Sequence, residues 1–309
     1  MVNRRHPLAN ILELVNHQTK VKIKRNSFDT FWIMASGTSS PLRVIVWSAP
    51  RCMSTAFTRS IMTLDESEVL HENFAAAYFL GPERPLRLGR KGLCLAPYYT
   101  YDYVKTMFEQ DVPGKKVIFA KDFPFALQGK YDKLPENYVH TFLIRNPTKV
   151  FMSIRDRYNT WFRQLYFGTE IQTYQPECHQ FFEEIWKLYD HLKNKLMKPV
   201  IVIDVDDFLK DPEAMMKIYC QATGIPFRRS MLSWKPRGIR QMDWQCSSIL
   251  NICAWLLGWY DNALNSNGFR KSRSPTRIPK KSMLPPDIRK AVEISEPYYK
   301  LLYDERTTV

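Results

Sequence analysis

The stretch Arg43-Val-Ile-Val-Trp-Ser48-Ala-Pro-Arg51-Cys-Met-Ser54-Thr55-Ala56 decides the fold. Its first six residues form an apolar run typical of a buried strand, and apolar residues recur at helical spacing after Ser54. A loop between a strand and a helix aims backbone N–H groups and the positive end of the helix at an anion. Arg51 adds a permanent charge, and two hydroxyl groups follow it. The stretch therefore predicts a phosphate-binding strand, loop and helix.

The rest of the chain continues the alternation of strands and helices. Apolar runs at residues 116–120, 138–144 and 199–203 are typical of buried parallel strands, and a segment with helical periodicity follows each of them. No internal repeat or heptad run interrupts this order. The pattern predicts an α/β fold, a three-layer doubly wound parallel sheet of the P-loop nucleotide-binding type, with ligands beyond the carboxyl ends of the strands.

Composition limits the classes of protein that fit. The chain has 309 residues, of which 45% are hydrophobic, and no polar linker divides it, so we expect one domain over residues 43–309. Its 45 basic and 31 acidic residues give a net charge of +14, which favours anionic partners such as phosphates, nucleic acid or acidic lipids. Six cysteines without a CxxC pair argue against a zinc site and a secreted disulfide framework.

The N-terminal segment has a different composition. Residues 1–33 carry six Lys and Arg but two acids, a balance that a mitochondrial presequence shares. We expect instead a poorly ordered extension over residues 1–42, with Met34 as an alternative start. No run of about 18 apolar residues occurs, so we expect a cytoplasmic protein without a membrane span.

A second phosphate-binding signal lies in Thr141-Phe-Leu-Ile-Arg145-Asn-Pro147-Thr-Lys-Val-Phe-Met-Ser153. A strand ends at Arg145, and Pro147 suits the first turn of a helix. Arg145 and Ser153 can then project to the same sheet edge and hold one phosphate. A Walker A sequence is absent from the whole chain, and with it the usual Mg²⁺-nucleotide hydrolysis site.

Together, and in this order, the two signals resemble the sulfotransferases that use 3′-phosphoadenosine 5′-phosphosulfate (PAPS). The resemblance implies that Arg145 and Ser153 hold the 3′-phosphate and that Lys121 lies near the reacting centre. It also implies that the first loop binds the 5′-phosphosulfate through Arg51, Cys52, Met53, Ser54, Thr55 and Ala56.

Later segments extend the resemblance over residues 43–303. Trp259-Tyr260 and Ser266-Asn-Gly268-Phe269 are similar to the family's final stretch, and Gly224-Ile-Pro-Phe227 to its later helical region. The pattern is closest to a divergent branch with plant and bacterial proteins labelled branched-chain aminotransferase-like. Two departures stand out. Cys52-Met53 replaces the usual Ser-Gly, and Lys121-Asp122-Phe123 replaces a Lys-Thr-His whose His is the general base.

The general base must therefore come from elsewhere. Glu72 follows what should be a second strand, where some family members place a Glu that faces the acceptor, so we expect it to be the base. Asp122 and His71 are the alternatives. His140, inside an apolar strand, is expected to be a hydrogen-bonded core residue. The acids at positions 204, 206 and 207 are expected to cap a helix rather than bind metal.

The sequence thus predicts transfer of a sulfuryl group from PAPS to a hydroxyl or amine by in-line displacement. Glu72, Arg51 and Lys121 are the expected catalytic residues, no metal is expected, and the acceptor is a small molecule, glycan or peptide. Three alternatives remain: a protein of this fold that binds nucleotide without turnover, a P-loop kinase or nucleotide hydrolase, and a basic nucleic-acid-binding protein. The last is disfavoured because no binding module is recognisable.

Overall fold

Strands with almost every side chain buried form the centre of the fold. The computed structural model describes residues 40–85, 94–158, 176–270 and 278–308. Within them, five parallel strands form one sheet in the order β2-β3-β1-β4-β5. They are β1 (Leu42–Ser48), β2 (Ser67–His71), β3 (Val117–Asp122), β4 (Val139–Ile144) and β5 (Val200–Asp204). Because helices cover both faces, these strands are apolar without alternation. The predicted parallel sheet is confirmed.

The helices fall between and after the strands. They are α1 (Ser54–Ile61), α2 (Asn73–Leu80), α3 (Tyr101–Glu109), α4 (Pro124–Leu127), α5 (Pro147–Tyr158), α6 (Phe181–Asp190), α7 (Val205–Phe208), α8 (Pro212–Thr223), α9 (Ser248–Leu256), α10 (Asp261–Leu264) and α11 (Pro286–Asp304). Short 3₁₀ turns occupy Tyr131–Lys133, Pro176–Gln180, Arg229–Leu232, Ile239–Gln241 and Lys281–Met283, and a π-helical turn, His191–Lys195, follows α6.

Two sets of helices sandwich the sheet. The chain runs from β1 outward to β2 and β3 on one side and to β4 and β5 on the other. Right-handed crossovers in opposite directions place their helices on opposite faces. Helix α1 packs on β2 and β3, whereas α11 packs on β4 and β5. Strand β1 lies between the two halves of the sheet, with β3 on one side and β4 on the other. The strand order therefore diverges at the carboxyl end of β1.

Local signals mark the ends of the helices, and the helix start predicted at Pro147 is observed. Pro147 opens α5, Asp211 caps α8 by accepting a hydrogen bond from the Ala214 N–H, and Gly224 ends α8 at φ 82°. The described residues from Pro41 onward form one compact unit. The predicted N-terminal extension lies almost wholly outside the described residues and stays a prediction. In the described part of the chain, no helix combines the length and apolar character needed to cross a membrane.

Candidate functional site

Four neighbouring strands bring the predicted site residues to one edge of the sheet. The loop carrying Arg51 follows β1, and Arg145 directly follows β4, the neighbour of β1 on one side. Lys121 lies near the end of β3, the neighbour on the other side. Glu72 follows β2, and its N–H donates to the Lys121 carbonyl at 2.8 Å. This edge is the switch point where parallel α/β sheets bind ligands.

A cavity of about 930 Å³ opens at this edge and collects nearly all of the predicted residues. Its lining includes Arg51, Met53, Ser54, Thr55, Ala56, Glu72, Lys121, Arg145 and Ser153. The side chain of Cys52 is absent from this lining because it is buried in the core, where burial raises the pKa of its thiol to about 12. Cys52 can therefore contact a ligand in the cavity only through its backbone atoms.

The loop after β1 takes a left-handed conformation without glycine. Arg51 has φ 66° and Met53, the residue before α1, has φ 59°. A left-handed conformation costs a non-glycine residue roughly 1–2 kcal/mol. Among the described residues no backbone acceptor is found for the N–H groups of Ser54, Thr55 and Ala56. The strained loop thus leaves the first turn of α1 with donors for an anion.

Arginine side chains concentrate positive charge beside this loop. Arg51 donates from Nε to Ser153 Oγ at 3.0 Å and from Nη1 to the Trp259 carbonyl at 2.7 Å. Arg145 Nη1 donates to the Arg51 carbonyl at 3.0 Å, and Arg145 Nε is buried with no hydrogen-bond partner in the described structure. Burial, and then the charges of Arg157 and Arg145, lower the pKa of Arg51 to about 10. Mutual repulsion of this kind is relieved by a bound anion.

The carboxylate of Glu72 is held by two donors. Lys121 Nζ donates to Oε1, and the Tyr260 hydroxyl donates to Oε2 at 2.7 Å. Burial alone raises the pKa of Glu72, but the charge of Lys121 and the hydrogen bonds from Lys121 and Tyr260 outweigh it, so the pKa lies below its ordinary value. Lys121 Nζ also lies 3.4 Å from the centre of the Phe123 ring. Glu72 and Lys121, predicted as separate site residues, thus form an ion pair that was not predicted.

Tyr260 lies in the candidate site but was not among the residues predicted for it. Its only signal is the Trp259-Tyr260 pair in the family-like stretch, which assigns no role to the hydroxyl. Trp259 contributes its carbonyl to Arg51, and its ring lies 5.9 Å from the Arg51 guanidinium. One dipeptide from the C-terminal part of the chain thus contacts both the loop after β1 and the Glu72 carboxylate.

The other two candidate bases lie outside the cavity lining. Asp122 accepts hydrogen bonds from the N–H groups of Phe74 at 2.6 Å and Ala75 at 3.1 Å, so it caps the start of α2. His71 is fully buried with its ring stacked on Trp244 at 4.1 Å between centroids, and burial lowers its pKa to about 3. Of the three candidates, Glu72 alone among the described residues faces the cavity.

The remaining polar candidates have structural partners. His140 Nδ1 accepts a hydrogen bond from Trp47 Nε1 at 3.0 Å inside the core, as predicted. Asp204 caps α7 by accepting from the N–H groups of Asp206 and Asp207, also as predicted. In the described ranges, no three His, Cys, Asp or Glu side chains are grouped to hold a metal ion.

The cavity also has an apolar side. Its walls there are Phe79, Leu80, Phe123, Phe125, Leu250 and Leu257. Phe269 and Trp259 join the lining, whereas Trp234 packs edge-on against Phe269 behind it. One cavity therefore offers cations and helix N–H groups in one part, an apolar wall in another, and Glu72 as its buried carboxylate.

No protein-family model matches the chain. Two curated proteins of Arabidopsis thaliana do. "Branched-chain-amino-acid aminotransferase-like protein 2" is 29% identical over 239 residues, which cover 75% of this chain and 36% of that protein. "Branched-chain-amino-acid aminotransferase-like protein 1" is 27% identical over 261 residues, covering 83% and 40%. The similarity expected from the motifs is confirmed, and the chain spans less than half the length of these relatives.

Several solved structures that match are named as sulfotransferases. A sulfotransferase from Alicyclobacillus acidocaldarius is 16% identical, with a TM-score of 0.41 over 74% of this chain and 95% of that one. A sulfotransferase domain from the curacin biosynthetic pathway is 12% identical, with a TM-score of 0.45 over 88% and 100%. A mouse sulfotransferase complexed with PAP is 13% identical, with a TM-score of 0.36 over 86% of each chain.

Proposed function

We propose that the protein transfers a sulfuryl group from PAPS to a hydroxyl or amine acceptor. The observation that supports this proposal is the single cavity into which the loop after β1, Arg145, Lys121 and Glu72 all open. Such a cavity offers separate contacts for two phosphate groups and a carboxylate for a proton. A Walker lysine, which a kinase or nucleotide hydrolase would need, has no counterpart in the sequence.

The described residues fit the nucleotide that the proposal requires. The N–H groups at the start of α1 have no backbone acceptor among the described residues, and the buried Arg145 Nε lacks a partner there. Buried donors are satisfied in most folded proteins, so an anionic ligand explains both. In the proposal, the start of α1 and Arg51 hold the 5′-phosphosulfate, while Arg145 and Ser153 hold the 3′-phosphate.

The chemistry is a displacement at sulfur. The acceptor oxygen or nitrogen forms a bond to sulfur, the bond from sulfur to the bridging phosphate oxygen breaks, and Glu72 takes the acceptor proton. Arg51 and Lys121 stabilise the charge that develops on the bridging and sulfuryl oxygens. Removing one such fixed donor costs roughly 10²–10³ in rate, and a positioned base contributes roughly 10²–10⁴, so the cations and the base matter comparably.

A thermal-shift experiment with PAP, the product nucleotide, tests the proposal directly. At a hundred times its dissociation constant, a ligand adds about 2.7 kcal/mol to the stability of the folded state. We expect PAP to raise the melting temperature clearly and ATP with Mg²⁺ to raise it less. A transfer assay with labelled PAPS and a panel of phenols, alcohols, amines and peptides then separates turnover from binding alone. Absence of any shift with PAP would remove the nucleotide assignment.

Variants of the 3′-phosphate contacts locate the nucleotide within the cavity. Arg145→Lys keeps a charge but loses the planar guanidinium, and Ser153→Ala loses a hydroxyl. Losing a charge-assisted hydrogen bond costs roughly 1.5–3 kcal/mol, so the affinity for PAP should fall about 10- to 150-fold. Adenosine 5′-phosphate lacks the 3′-phosphate and should lose little. Equal losses for the two nucleotides would show that these residues do not contact the 3′ position.

A further inference from the structure

Helix α9 exposes an apolar surface. Ile252 is 56% exposed, Trp255 49% and Leu256 64%, and their spacing places them on one side of the helix. Residues 245–260 contain no charged side chain. Contiguous apolar surface of this kind on a helix marks an interaction site more often than isolated exposed residues do. We call Ile252, Trp255 and Leu256 the α9 face.

Exposed cations lie next to this face. Residues 235–240 contain Lys235, Arg237 and Arg240, all exposed, and no ion pair links them to another described residue. Arg237 lies against the α9 face, because it and Trp255 line the same shallow cavity of about 290 Å³. Asp261 also lines that cavity but pairs with Arg157 at 3.3 Å. The apolar face is therefore bordered by the cation of Arg237, in a segment that also carries Lys235 and Arg240.

We propose that the α9 face docks on an anionic lipid surface, with the cations of residues 235–240 on the headgroups. Apolar side chains beside cations have the chemistry of an interfacial helix, which inserts the former and pairs the latter with anionic lipids. An exposed tryptophan suits the boundary between headgroups and acyl chains. Nucleic acid would satisfy the cations but leave the α9 face in water. This inference goes beyond the proposed transfer activity and does not depend on it.

Docking on this face would bring the cavity to the lipid surface. The opposite side of α9 supplies Leu250 and Ala254 to the cavity wall, and Leu257 follows directly after the helix. One helix thus separates the cavity from the exposed face. A molecule held in the outer part of a bilayer would have a short path to the apolar side of the cavity.

Cosedimentation of the full chain with vesicles tests the docking. Vesicles of phosphatidylcholine and phosphatidylserine mixed about 7:3 carry the negative charge the cations require, and pure phosphatidylcholine vesicles lack it. We expect binding to the mixed vesicles, weaker binding as salt is raised, and little binding to the neutral ones. Equal binding to both compositions, or no binding to the mixed vesicles, overturns the proposal.

Matched double variants separate the α9 face from the general positive charge of the protein. Ile252→Asp with Leu256→Asp should lower vesicle affinity at least about tenfold, because two apolar contacts become charged. Met197→Asp with Met283→Asp makes the same charge change at positions that are 80% and 74% exposed elsewhere, and should change affinity by about twofold at most. Equal losses in the two pairs would assign the binding to net charge and overturn the proposal.

The cations are tested in the same way. Arg237→Gln with Arg240→Gln should lower affinity about 25-fold, since each cation near an anionic surface contributes about fivefold. Lys290→Gln with Lys300→Gln removes two exposed cations of α11 and should have a small effect.

Self-association of the chain is the competing explanation for the α9 face. If the α9 variants abolish self-association while vesicle binding is absent, a second copy covers this face and the lipid proposal is wrong.

Discussion

The Glu72 carboxylate accepts hydrogen bonds from Lys121 and Tyr260, which keep it ionised and so make it a weak base. It becomes a stronger base when one of these donors moves away. The low pKa of Glu72 keeps it deprotonated at neutral pH, but efficient proton transfer favours a base with a pKa near the working pH. If Lys121 moves toward a bound sulfuryl group, its hold on Glu72 weakens and the pKa of Glu72 rises. In the proposed mechanism, the ion pair would therefore couple binding of the donor nucleotide to the strength of the base.

Substitution of Glu72 tests its role in proton transfer. Glu72→Gln should lower turnover roughly 10²–10⁴-fold with little change in PAP affinity, because Gln cannot take a proton. Glu68→Gln is the matched control, since Glu68 lies on β2 but does not line the cavity. Breaking a buried ion pair can destabilise a fold by roughly 3–5 kcal/mol, so a melting curve must accompany the assay. Turnover near the wild-type level would remove Glu72 as the base.

Tyr260→Phe provides a second test that leaves the ion pair intact. The Tyr260 hydroxyl stabilises the ionised form of Glu72, so its loss should raise the pKa of Glu72. Since the base acts when deprotonated, activity on the acidic side of the pH profile should then be lost at a higher pH. A hydrogen bond to a charged group is worth roughly 1.5–3 kcal/mol, or about one to two pH units. An unchanged acidic limb would contradict the assignment.

Residue by residue, the sequence predicts side chains better than the pairs they form. Arg51 and Arg145 each follow an apolar run, and the rule that ligands bind at strand ends is enough to name them, whereas Glu72 was named from the resemblance to sulfotransferases. The pairing of Glu72 with Lys121 depends on β2 and β3 being neighbours, which local periodicity does not encode. Tyr260 reaches Glu72 across 188 positions of sequence. Only the packed fold brings these groups together.

At the level of elements, the loop after β1 and the residue after β2 adopt backbone conformations that are unfavourable for their residue types. Arg51 and Met53 are left-handed without being glycine, as is Glu72 at φ 57°. Strain of this kind clusters at functional sites, where the surrounding structure imposes it. Met53 therefore takes, at an energetic cost, a left-handed conformation that a glycine would adopt freely.

Gly268 is the element-level position where a side chain does not fit. It has φ 141°, and a Cβ there would lie 2.4 Å from the Leu232 carbonyl oxygen, a backbone atom that cannot rotate away. A bridge between Ser233 and Gly268 holds this segment along the cavity. Any substitution must therefore shift a segment that lines the proposed nucleotide site.

We expect Gly268→Ala to lower both the free energy of unfolding and the affinity for PAP. Gly114→Ala is the matched control, because Gly114 also has positive φ, at 78°, but no atom within 4 Å of its Cβ position. Chemical denaturation should show Gly268→Ala to be roughly 1–3 kcal/mol less stable than Gly114→Ala, the usual cost of overpacking. Equal stability of the two variants would show that the segment yields without strain.

Over the whole molecule, one sheet supplies both the stability and the site. The pattern of apolar runs predicts the parallel sheet because burial on both faces requires continuous apolar strands. The strand order and the apolar side of the cavity were not predicted, since both depend on which helices pack together after the strands pair. The same burial that encloses the site also encloses polar residues such as His140, and this makes stability depend on pH.

His140 should destabilise the fold in acid. Burial lowers its pKa to about 3, against about 6.5 in the unfolded chain. Between these values the unfolded chain binds a proton that the folded protein does not, so stability falls as pH falls, by about 1.4 kcal/mol per pH unit.

His140→Asn removes this one titration and leaves every other group in place. Near pH 7 the variant should be less stable than the wild type, because the fit around Trp47 Nε1 is altered. Other titrating groups contribute equally to both proteins and cancel in the difference. The stability gap should therefore narrow by roughly 2–3 kcal/mol between pH 6.5 and pH 4.5, as measured by chemical denaturation at each pH. A gap that stays constant would mean that the folded protein protonates His140 as readily as the unfolded chain does, and that burial does not control its charge.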